Sequence, residues 1–443
     1  MREGERFSQS ITLTLMSRAP QPALISPART EASQDLRLFI DTHKARQLPR
    51  LGLGAASHGQ PLSELELSRL RGLNLSHLRI DLRLSEPDLE TKIERAATEA
   101  FALGARLEVA LSLSDYSPAE FQGLLDALRR VKPHLARWLI FHVAEKVTSA
   151  HCLRLAREVL QEYDTDVPIG VGTNFWFTDI NRSLLPIEEA NLLCYALSPQ
   201  VHACDDLTLV ENLEQQAATV QNAMRLSGGK PLAITPVTFK PRFSASATGP
   251  EIMPEQDELP PQVDARQPTL FAAAWTLGSI KYMAESGASS VTYFETTGWR
   301  GVIERETVAQ PDEQADKFLS HPGAVFPLWH VLADVGDFAN NEVLSTSSSD
   351  ALKVIGLTLQ QAGRRRMLIA NLTADAQVVR LPFAGSRVWM KRLNGGNLME
   401  AMLTPEAFRA KPGDELRLSK EELRLSLLPH ELLRLDNLPE IGA

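Results

Sequence analysis

The sequence is poor in the features that mark secreted, membrane-spanning and disulfide-rich proteins. Its 443 residues include three cysteines, Cys152, Cys194 and Cys204, which form no Cys-x-x-Cys pair and no zinc-binding spacing. An unpaired set of this kind is typical of a reducing compartment. No window approaches the roughly 18 apolar residues of a membrane helix, and the N-terminus lacks a secretory leader pattern. We therefore expect a cytoplasmic protein with no membrane partner.

Basic residues are also in short supply, with 46 Lys and Arg against 55 Asp and Glu and a net charge of −9. Proteins that bind a phosphate backbone usually carry a basic stripe. The one dense basic run, Arg364 to Arg366, is interpreted as a solvated turn between two strands rather than an anion site. We predict no nucleic-acid partner, and nothing in the sequence specifies an oligomeric state.

From about Leu51 the sequence alternates short apolar runs with longer stretches of helical period, which is typical of βαβ units. Eight such cycles, without a Gly-x-Gly-x-x-Gly turn, favour a (β/α)8 TIM barrel over an open doubly wound sheet. The predicted strands are Arg50–Ser57, His77–Leu84, Arg106–Ser114, Arg137–Glu145, Pro168–Phe177, Leu192–Ala203, Pro231–Phe239 and Ser289–Thr296. Ser63 with Glu66, and Ser117 with Glu120, predict capping boxes at two helix starts.

The ends of the chain differ in pattern from this central part. After Asn341 short alternating strands predict a small antiparallel β-sandwich domain. Residues 1–48 carry one strand-like run, Gln9–Met16, and then a Pro-rich and Ser-rich connector. The fold class is thus α/β, a TIM barrel followed by a β-sandwich, with a remnant N-terminal β segment and linker at 1–48, a catalytic barrel at 49–341 and a β domain at 342–443.

Predicted strand 2 has an unusual interior for a barrel. Leucines and isoleucine alternate with Arg79, Asp81 and Arg83, and only the apolar face can meet the helix layer. The charged face must point into the barrel or its mouth, either as a buried ion pair that fixes register or as part of a ligand site. On strand 5, Gly170 and Gly172 are expected to leave room for a ligand.

Catalytic residues of TIM barrels gather where the strands end, so polar residues at those positions are candidates. Glu145 and Glu295 stand out because each follows an apolar strand, where partial burial adjusts a carboxylate pKa. Lys240 and His202 are the other predicted catalytic residues. The predicted substrate-binding residues are His58, Arg79, Asp81, Asn174, Trp176 and Arg242.

Two further features complete the predicted mouth. The loop from about Ser244 to Gln267 is long and is expected to act as a lid or binding loop. His58, Asp81, His202 and Asp205 could supply metal ligands, but strand 1 lacks a His-x-His pair, so neither a metal nor another cofactor is assigned.

A pair of carboxylates at a barrel mouth suits two kinds of hydrolysis. In a retaining glycosidase one acid protonates the leaving group and the other attacks. In a lactonase one carboxylate activates water while Lys240, Arg242, Asn174 or His202 stabilises the oxyanion. A third interpretation is a sugar-binding barrel whose carboxylates only hydrogen-bond hydroxyl groups.

Several stretches together resemble the D-apionate lactonases of bacterial apiose breakdown, from about residue 6 to the end. They are Leu51-Gly-Leu-Gly-Ala-Ala-Ser-His-Gly59, His77-Leu-Arg-Ile-Asp-Leu82, Gly172-Thr-Asn-Phe-Trp-Phe-Thr-Asp-Ile-Asn-Arg182, Ser198-Pro-Gln-Val-His-Ala203 and Thr235-Pro-Val-Thr-Phe-Lys-Pro-Arg-Phe243. The resemblance implies hydrolysis of D-apionolactone, a small-molecule sugar lactone, to D-apionate. It also implies a fuller N-terminal β domain, of which we expect only the last strand to be present.

The barrel with a trailing β domain also resembles clan-A glycosidases, which carry Asn-Glu after strand 4 and a nucleophilic Glu after strand 7. Here Ala144 precedes Glu145, and strand 7 leads to Lys240 without a Glu. These departures favour the lactonase, in which Glu145 or Glu295 activates water and the other protonates the leaving alkoxide. The alternative is a retaining glycosidase using the same two residues.

Overall fold

The computed structural model describes residues 35–242, 258–306, 317–381, 387–417 and 422–436. The elements up to residue 336 are, in chain order, β1 Leu36–Gln47, β2 Arg50–Gly54, α1 Glu64–Arg71, β3 His77–Arg83, α2 Leu89–Ala102, β4 Arg106–Leu113, α3 Gln122–Val131, β5 Leu135–His142, α4 Ala150–Leu160, β6 Ile169–Gly172, α5 Phe177–Asn181, β7 Leu192–Leu197, α6 Asp206–Leu226, β8 Leu232–Val237, α7 Leu270–Ser286, β9 Ser290–Thr297, β10 Gly301–Ile303 and α8 Pro327–Gly336. The remaining elements are β11 Glu342–Ser348, β12 Val354–Gln361, β13 Arg364–Asn371, β14 Gln377–Leu381, β15 Arg387–Leu393, α9 Leu398–Leu403, α10 Pro405–Ala410, β16 Asp414–Arg417, β17 Leu423–Leu427 and β18 Leu432–Asp436.

Strands β2 to β9 form a closed parallel barrel, in which each strand pairs with the next and β9 pairs with β2. The eight predicted barrel strands are confirmed, although most end a few residues earlier than the polar pattern suggested. Alternate residues of β4 separate cleanly, with Leu107, Val109 and Leu111 packed toward the helices and Glu108 facing inward. The predicted fold class, a TIM barrel followed by an antiparallel β domain, is confirmed.

Of the two predicted capping boxes, the structure contains one. At α1 the Ser63 side chain accepts from the Glu66 amide, and the Glu66 carboxylate accepts from the Ser63 amide, so this capping box is confirmed. The second predicted box, at Ser117, is wrong: Glu120 accepts from the amides of Ser114 and Asp115 instead. Pro118 starts a short 3-10 turn there, and the following helix begins only at Gln122.

The C-terminal strands form a β-sandwich that recruits β1 from before the barrel. Strand β1 runs antiparallel to β11 and, through its first residues, parallel to β14. Residues 36–47 are therefore a strand of this domain and not the connector that the sequence suggested. The predicted strand Gln9–Met16 lies outside the described residues.

Helix α7 lies between the barrel and the β-sandwich and is buried on almost every side. It packs against α6, α8, β12 and β13, and Ile355 and Leu357 of β12 belong to the same apolar core as Trp275 of α7. Thr269 caps its first turn, and Gly287, at φ 98°, ends it in the left-handed conformation that glycine adopts without strain.

The basic run Arg364 to Arg366 lies within β13, so its interpretation as a solvated turn is wrong. Arg366 is fully buried and pairs with Asp337 at 2.7 Å and with Asp436 at 2.7 Å, which links α8 to the sheet. The counter-charges come from distant parts of the chain, which is why the local pattern did not reveal them. None of the helices in the described ranges combines the length and apolar character needed to cross a bilayer.

Candidate active site

The interior of the barrel holds a network of buried charges, which we call the interior network. Strand register places Arg79 beside Glu108 and Glu108 beside Arg137. Glu108, with no exposed surface, accepts from Arg137 Nε at 2.5 Å and from the hydroxyls of Thr235 and Thr292. Burial alone would raise the pKa of Glu108, but the neighbouring cations, Arg137 foremost, lower it to about 2. This carboxylate is therefore ionised and fully satisfied.

Arg79 makes several hydrogen bonds within the interior network. It is 1% exposed, and its guanidinium donates to Asp81 Oδ1 at 2.6 Å, to Asn174 Oδ1 at 2.5 Å and to the Thr235 carbonyl at 2.6 Å. Arg242 Nη1 donates to the other Asp81 oxygen at 3.0 Å. Burial opposes ionisation of Asp81, yet Arg79 and Arg242 hold its pKa well below the usual range. The predicted inward orientation of Arg79 and Asp81 is confirmed.

The interior network ends at Glu295, on the last barrel strand. Glu295 is 1% exposed, and its Oε2 accepts from the Ser57 amide at 2.9 Å and the Ser57 hydroxyl at 2.8 Å. Its Oε1 has no hydrogen-bond partner and lies 3.7 Å from Arg242 Nη2 and 3.5 Å from Arg300 Nε. One carboxylate oxygen is thus fixed, and the other lies between two guanidinium groups.

A cavity of about 410 Å³ adjoins Glu295, and we call it the Glu295 cavity. It is lined by Ser57, His58, Pro260, Gln262, Val263, Glu295, Thr297, Gly298, Trp299, Arg300, Glu304, Arg305, Phe318, Ser320 and Pro322. Residues 260–263 belong to the predicted lid loop, of which residues 244–257 lie outside the described part. The end of that loop therefore borders the cavity.

His58 and Glu304 face this cavity, and burial shifts the pKa of each side chain. Burial and nearby arginines, Arg305 foremost, lower the pKa of His58 to about 4. Its Nδ1 accepts from the Gln60 amide at 3.1 Å, so a neutral His58 carries its proton on Nε2 and donates to Thr297 Oγ1 at 2.9 Å. Burial raises the pKa of Glu304, which accepts from Ser320 Oγ at 2.5 Å.

Glu145, the other carboxylate singled out from the sequence, belongs to a separate set of contacts. The Tyr116 hydroxyl donates to its Oε1, and the Ser149 amide at the start of α4 donates to its Oε2 at 3.1 Å. Burial raises its pKa, but these two hydrogen bonds bring the pKa below the usual value. Among the described residues, none of the contacts of Glu145 joins it to the interior network or to Glu295.

The remaining predicted residues lie in several different places. Arg79, Asp81, Asn174 and Arg242 lie in the interior network, and His58 lines the Glu295 cavity. His202 and Trp176 line a second cavity of about 660 Å³ at the ends of β6 and β7. Lys240 accepts a hydrogen bond from Thr238 Oγ1 through its backbone carbonyl, and its side chain lines neither cavity in the described structure. The assigned roles of these residues stay predictions.

Sequence reasoning missed Ser57, Arg300 and Glu304. Ser57 directly precedes the predicted His58, but a serine at a strand end carries little signal by itself. Arg300 follows Gly298, whose φ of 89° turns the chain so that the Glu295 amide donates to the Arg300 carbonyl at 3.0 Å. The Gly298-Trp-Arg-Gly301 turn, directly after β9, was the sequence signal that could have located Arg300. In the residues that the structure describes, no group of three or more His, Cys, Asp or Glu side chains is arranged to hold a metal ion.

Comparison with known proteins agrees with this architecture. Two family models match, "D-apionate lactonase, TIM barrel domain" over residues 51–340 and "D-apionate lactonase, C-terminal immunoglobulin-like domain" over residues 351–435. The D-apionate lactonase of Brucella anthropi is 27% identical over 139 residues, which span 31% of this chain and 23% of that relative.

Similar solved structures include a GH30 endoxylanase from Clostridium papyrosolvens C71, with a TM-score of 0.58 and 12% identity over 91% of this chain and 100% of that one. Another is AbfB, a family 51 α-L-arabinofuranosidase from Bifidobacterium longum, with a TM-score of 0.59 and 12% identity over 91% of this chain and 99% of that one. Identities this low show a shared fold alone. Because the family model for the barrel spans well over half of the sequence, the chain belongs to the D-apionate lactonase family.

Proposed function

We propose that the chain is a lactonase that opens a sugar-acid lactone, D-apionolactone to D-apionate, in the Glu295 cavity. Family membership supports the reaction class, and the Brucella anthropi relative supports the substrate. The observation that carries the proposal is the state of Glu295: a carboxylate 1% exposed, fixed by Ser57 through one oxygen and without a hydrogen-bond partner at the other.

We assign Glu295 the role of general base. Its Oε1 takes a proton from water as the water oxygen attacks the lactone carbonyl carbon. Negative charge then develops on the carbonyl oxygen, and the Arg300 guanidinium, which also lines the cavity, stabilises it. Ser57 is a positioning residue in this scheme, because its amide and hydroxyl hold the carboxylate in one orientation.

The reaction also needs an acid, because the ring C–O bond breaks to give an alkoxide. Glu304 lines the same cavity, and burial raises its pKa, which favours the protonated form. We assign Glu304 the role of the acid that donates a proton to the alkoxide. The product acid then ionises, Glu295 loses its proton to solvent and Glu304 regains one. This assignment replaces Glu145 as the second carboxyl of the predicted pair.

The retaining glycosidase has less support from the geometry. It requires the carboxyl groups of Glu145 and Glu295 to lie about 5 to 5.5 Å apart, and in the described structure the two carboxylates share no hydrogen-bond partner. The likeness to glycosidase structures is a likeness of fold. Aryl glycosides therefore serve as negative controls when lactone hydrolysis is measured.

The proposal is tested by following acid release from D-apionolactone with a pH indicator. We expect Glu295→Gln to lower kcat by about 10²- to 10⁴-fold, the usual contribution of a general base, with an unchanged circular dichroism spectrum. Glu158→Gln, at an exposed position of α4, is the matched control and is expected to retain full activity. Near-normal turnover by Glu295→Gln, or hydrolysis of aryl glycosides without lactone opening, contradicts the proposal.

A further inference from the structure

We propose that the second cavity, at the ends of β6 and β7, is a binding site for a short-chain sugar acid, separate from the Glu295 cavity. Its volume is about 660 Å³, and its lining shares no residue with that of the Glu295 cavity. Its lining includes the polar residues Asp179 and Gln216, the aromatic residues Trp176, Phe177 and Tyr195, and the cations Lys146 and Arg182. The ligand class follows from three features of this lining.

The first feature is a pair of unsatisfied polar groups. Gln216 is 3% exposed, its Oε1 accepts from Ser279 Oγ at 2.7 Å, and its Nε2 has no partner. Asp179 Oδ2 is likewise buried without a partner. A buried donor and a buried acceptor left unpaired are both unfavourable. The Gln216 amide can donate to one ligand hydroxyl group and the Asp179 carboxylate can accept from another, so a polyhydroxylated molecule satisfies both.

The second feature is the aromatic character of one wall. Trp176, Phe177 and Tyr195 line the cavity, and the Phe177 and Tyr195 rings meet edge to face at 5.7 Å. The Tyr195 hydroxyl is bonded to Thr219 Oγ1 at 2.8 Å and its ring is fully buried, so Tyr195 supports the apolar wall that Trp176 and Phe177 present. Apolar ring faces beside amide and hydroxyl groups suit the C–H and O–H surfaces of a sugar chain.

The third feature is the charge of the rim. Lys146 and Arg182 are exposed cations, and Asp179 is the one carboxylate in the lining within the described residues. Cations outnumber anions, so the rim favours a ligand carboxylate, which Arg182 can bind through two parallel hydrogen bonds. A polyol chain inside and a carboxylate at the rim define a sugar acid.

Two tryptophans make the two cavities separately observable, because Trp176 lines this cavity and Trp299 lines the other. The probe is D-gluconate, with D-glucitol as the uncharged analogue. We expect gluconate to change the fluorescence of wild type and of Trp299→Phe saturably, and to leave Trp176→Phe emission unchanged. A change that disappears only in Trp299→Phe places the ligand at Glu295 and overturns the proposal.

Calorimetric titration of the same proteins tests the chemistry of the site. Arg182→Gln, at an exposed position, is expected to weaken gluconate binding about two- to fivefold, and Gln216→Met to weaken it about tenfold. Glu295→Gln should bind gluconate as wild type does, whether or not it hydrolyses lactones, which separates this proposal from the proposed catalytic function. Equal binding of D-glucitol, unchanged affinity in Arg182→Gln, or no gluconate binding by wild type refutes the sugar-acid site.

Discussion

Glu295 points into the barrel because of its neighbour Phe294. Phe294 has a φ of 45°, in the left-handed region that costs a bulky residue about 1–3 kcal/mol. The pairing of β2 with β9 shifts register there, so Tyr293 faces Leu53 and Glu295 faces Gly54. Phe294 packs with Phe239 in the core instead of occupying the inward position. This bulge gives Glu295 the place that strict alternation would give to Phe294.

The pH dependence of activity tests the proposed role of Glu304 as the acid. Because burial raises its pKa, Glu304 keeps its proton to higher pH than a free glutamate, and the activity that needs this proton is lost as pH rises through that raised pKa. We expect Glu304→Gln to lower kcat and to abolish the alkaline limb of the pH–rate profile. Glu306→Gln, an exposed neighbour, should leave both unchanged. An alkaline limb that persists in Glu304→Gln excludes this residue as the acid.

Sequence reasoning located Glu295 and misjudged what surrounds it. A strand end is visible in the sequence, because apolar runs stop there, and this placed both Glu145 and Glu295 at strand ends. The surroundings of each carboxylate depend on residues distant in sequence. The Tyr116 hydroxyl donates to Glu145, and the Ser57 hydroxyl donates to Glu295. The charged face of β3 was predictable from the alternation of its residues alone. Arg242 was predicted to bind the substrate, and in the structure it donates to Asp81 of β3.

At the scale of elements, Gly170 and Gly172 of β6 allow close packing between strands rather than leaving space for a ligand. They were expected to leave room for a ligand, and that expectation is wrong for these positions. A Cβ on Gly170 would meet the side chains of Leu192 and Leu139, and one on Gly172 would lie 1.8 Å from the Cys194 carbonyl oxygen. These glycines let neighbouring strands and their side chains fill the barrel, whereas the cavities open at the strand ends.

Gly172→Ala tests this interpretation. The φ of 152° at Gly172 and the contact with the Cys194 backbone leave no place for a methyl group, so we expect a loss of about 3 kcal/mol or more in unfolding free energy. Urea denaturation followed by circular dichroism measures it. Gly123→Ala is the matched control, since a methyl group on Gly123, in α3, would meet open space, and helix propensity predicts a gain of up to about 1 kcal/mol. A Gly172→Ala variant as stable as wild type would show that the strand can move.

At the scale of the whole molecule, the β-sandwich is attached to the barrel from both sides of the sequence. Strand β1 joins the sandwich immediately before the first barrel strand, and β11 pairs with it soon after α8. The sequence did not reveal β1, because its residues, LRLFIDTHKARQ, become polar and exposed after the first few positions. Its pairing is decided by strands about 300 residues away. The apolar core shared by α7 and β12 predicts that the two parts unfold together.

The ionic cluster around Arg366 tests whether the two parts unfold together. Arg366 has no exposed surface and neutralises Asp436 and Asp337, the residue directly after α8, while Arg409 and Arg434 pair with Asp334 within α8. Arg366→Met leaves partly buried carboxylates with fewer counter-charges, so we expect a loss of about 3 kcal/mol. Arg387→Met, whose side chain is 69% exposed, should cost less than about 1 kcal/mol.

The measurement is urea unfolding of Arg366→Met, followed by far-ultraviolet circular dichroism and by residual lactone hydrolysis in parallel. Circular dichroism reports on both parts, and hydrolysis reports on the barrel alone. Because α7 buries its faces against both, the two midpoints should fall by the same amount. If hydrolysis kept its wild-type midpoint while the dichroism midpoint fell, the barrel would be stable without the sandwich, and the shared core would not couple them.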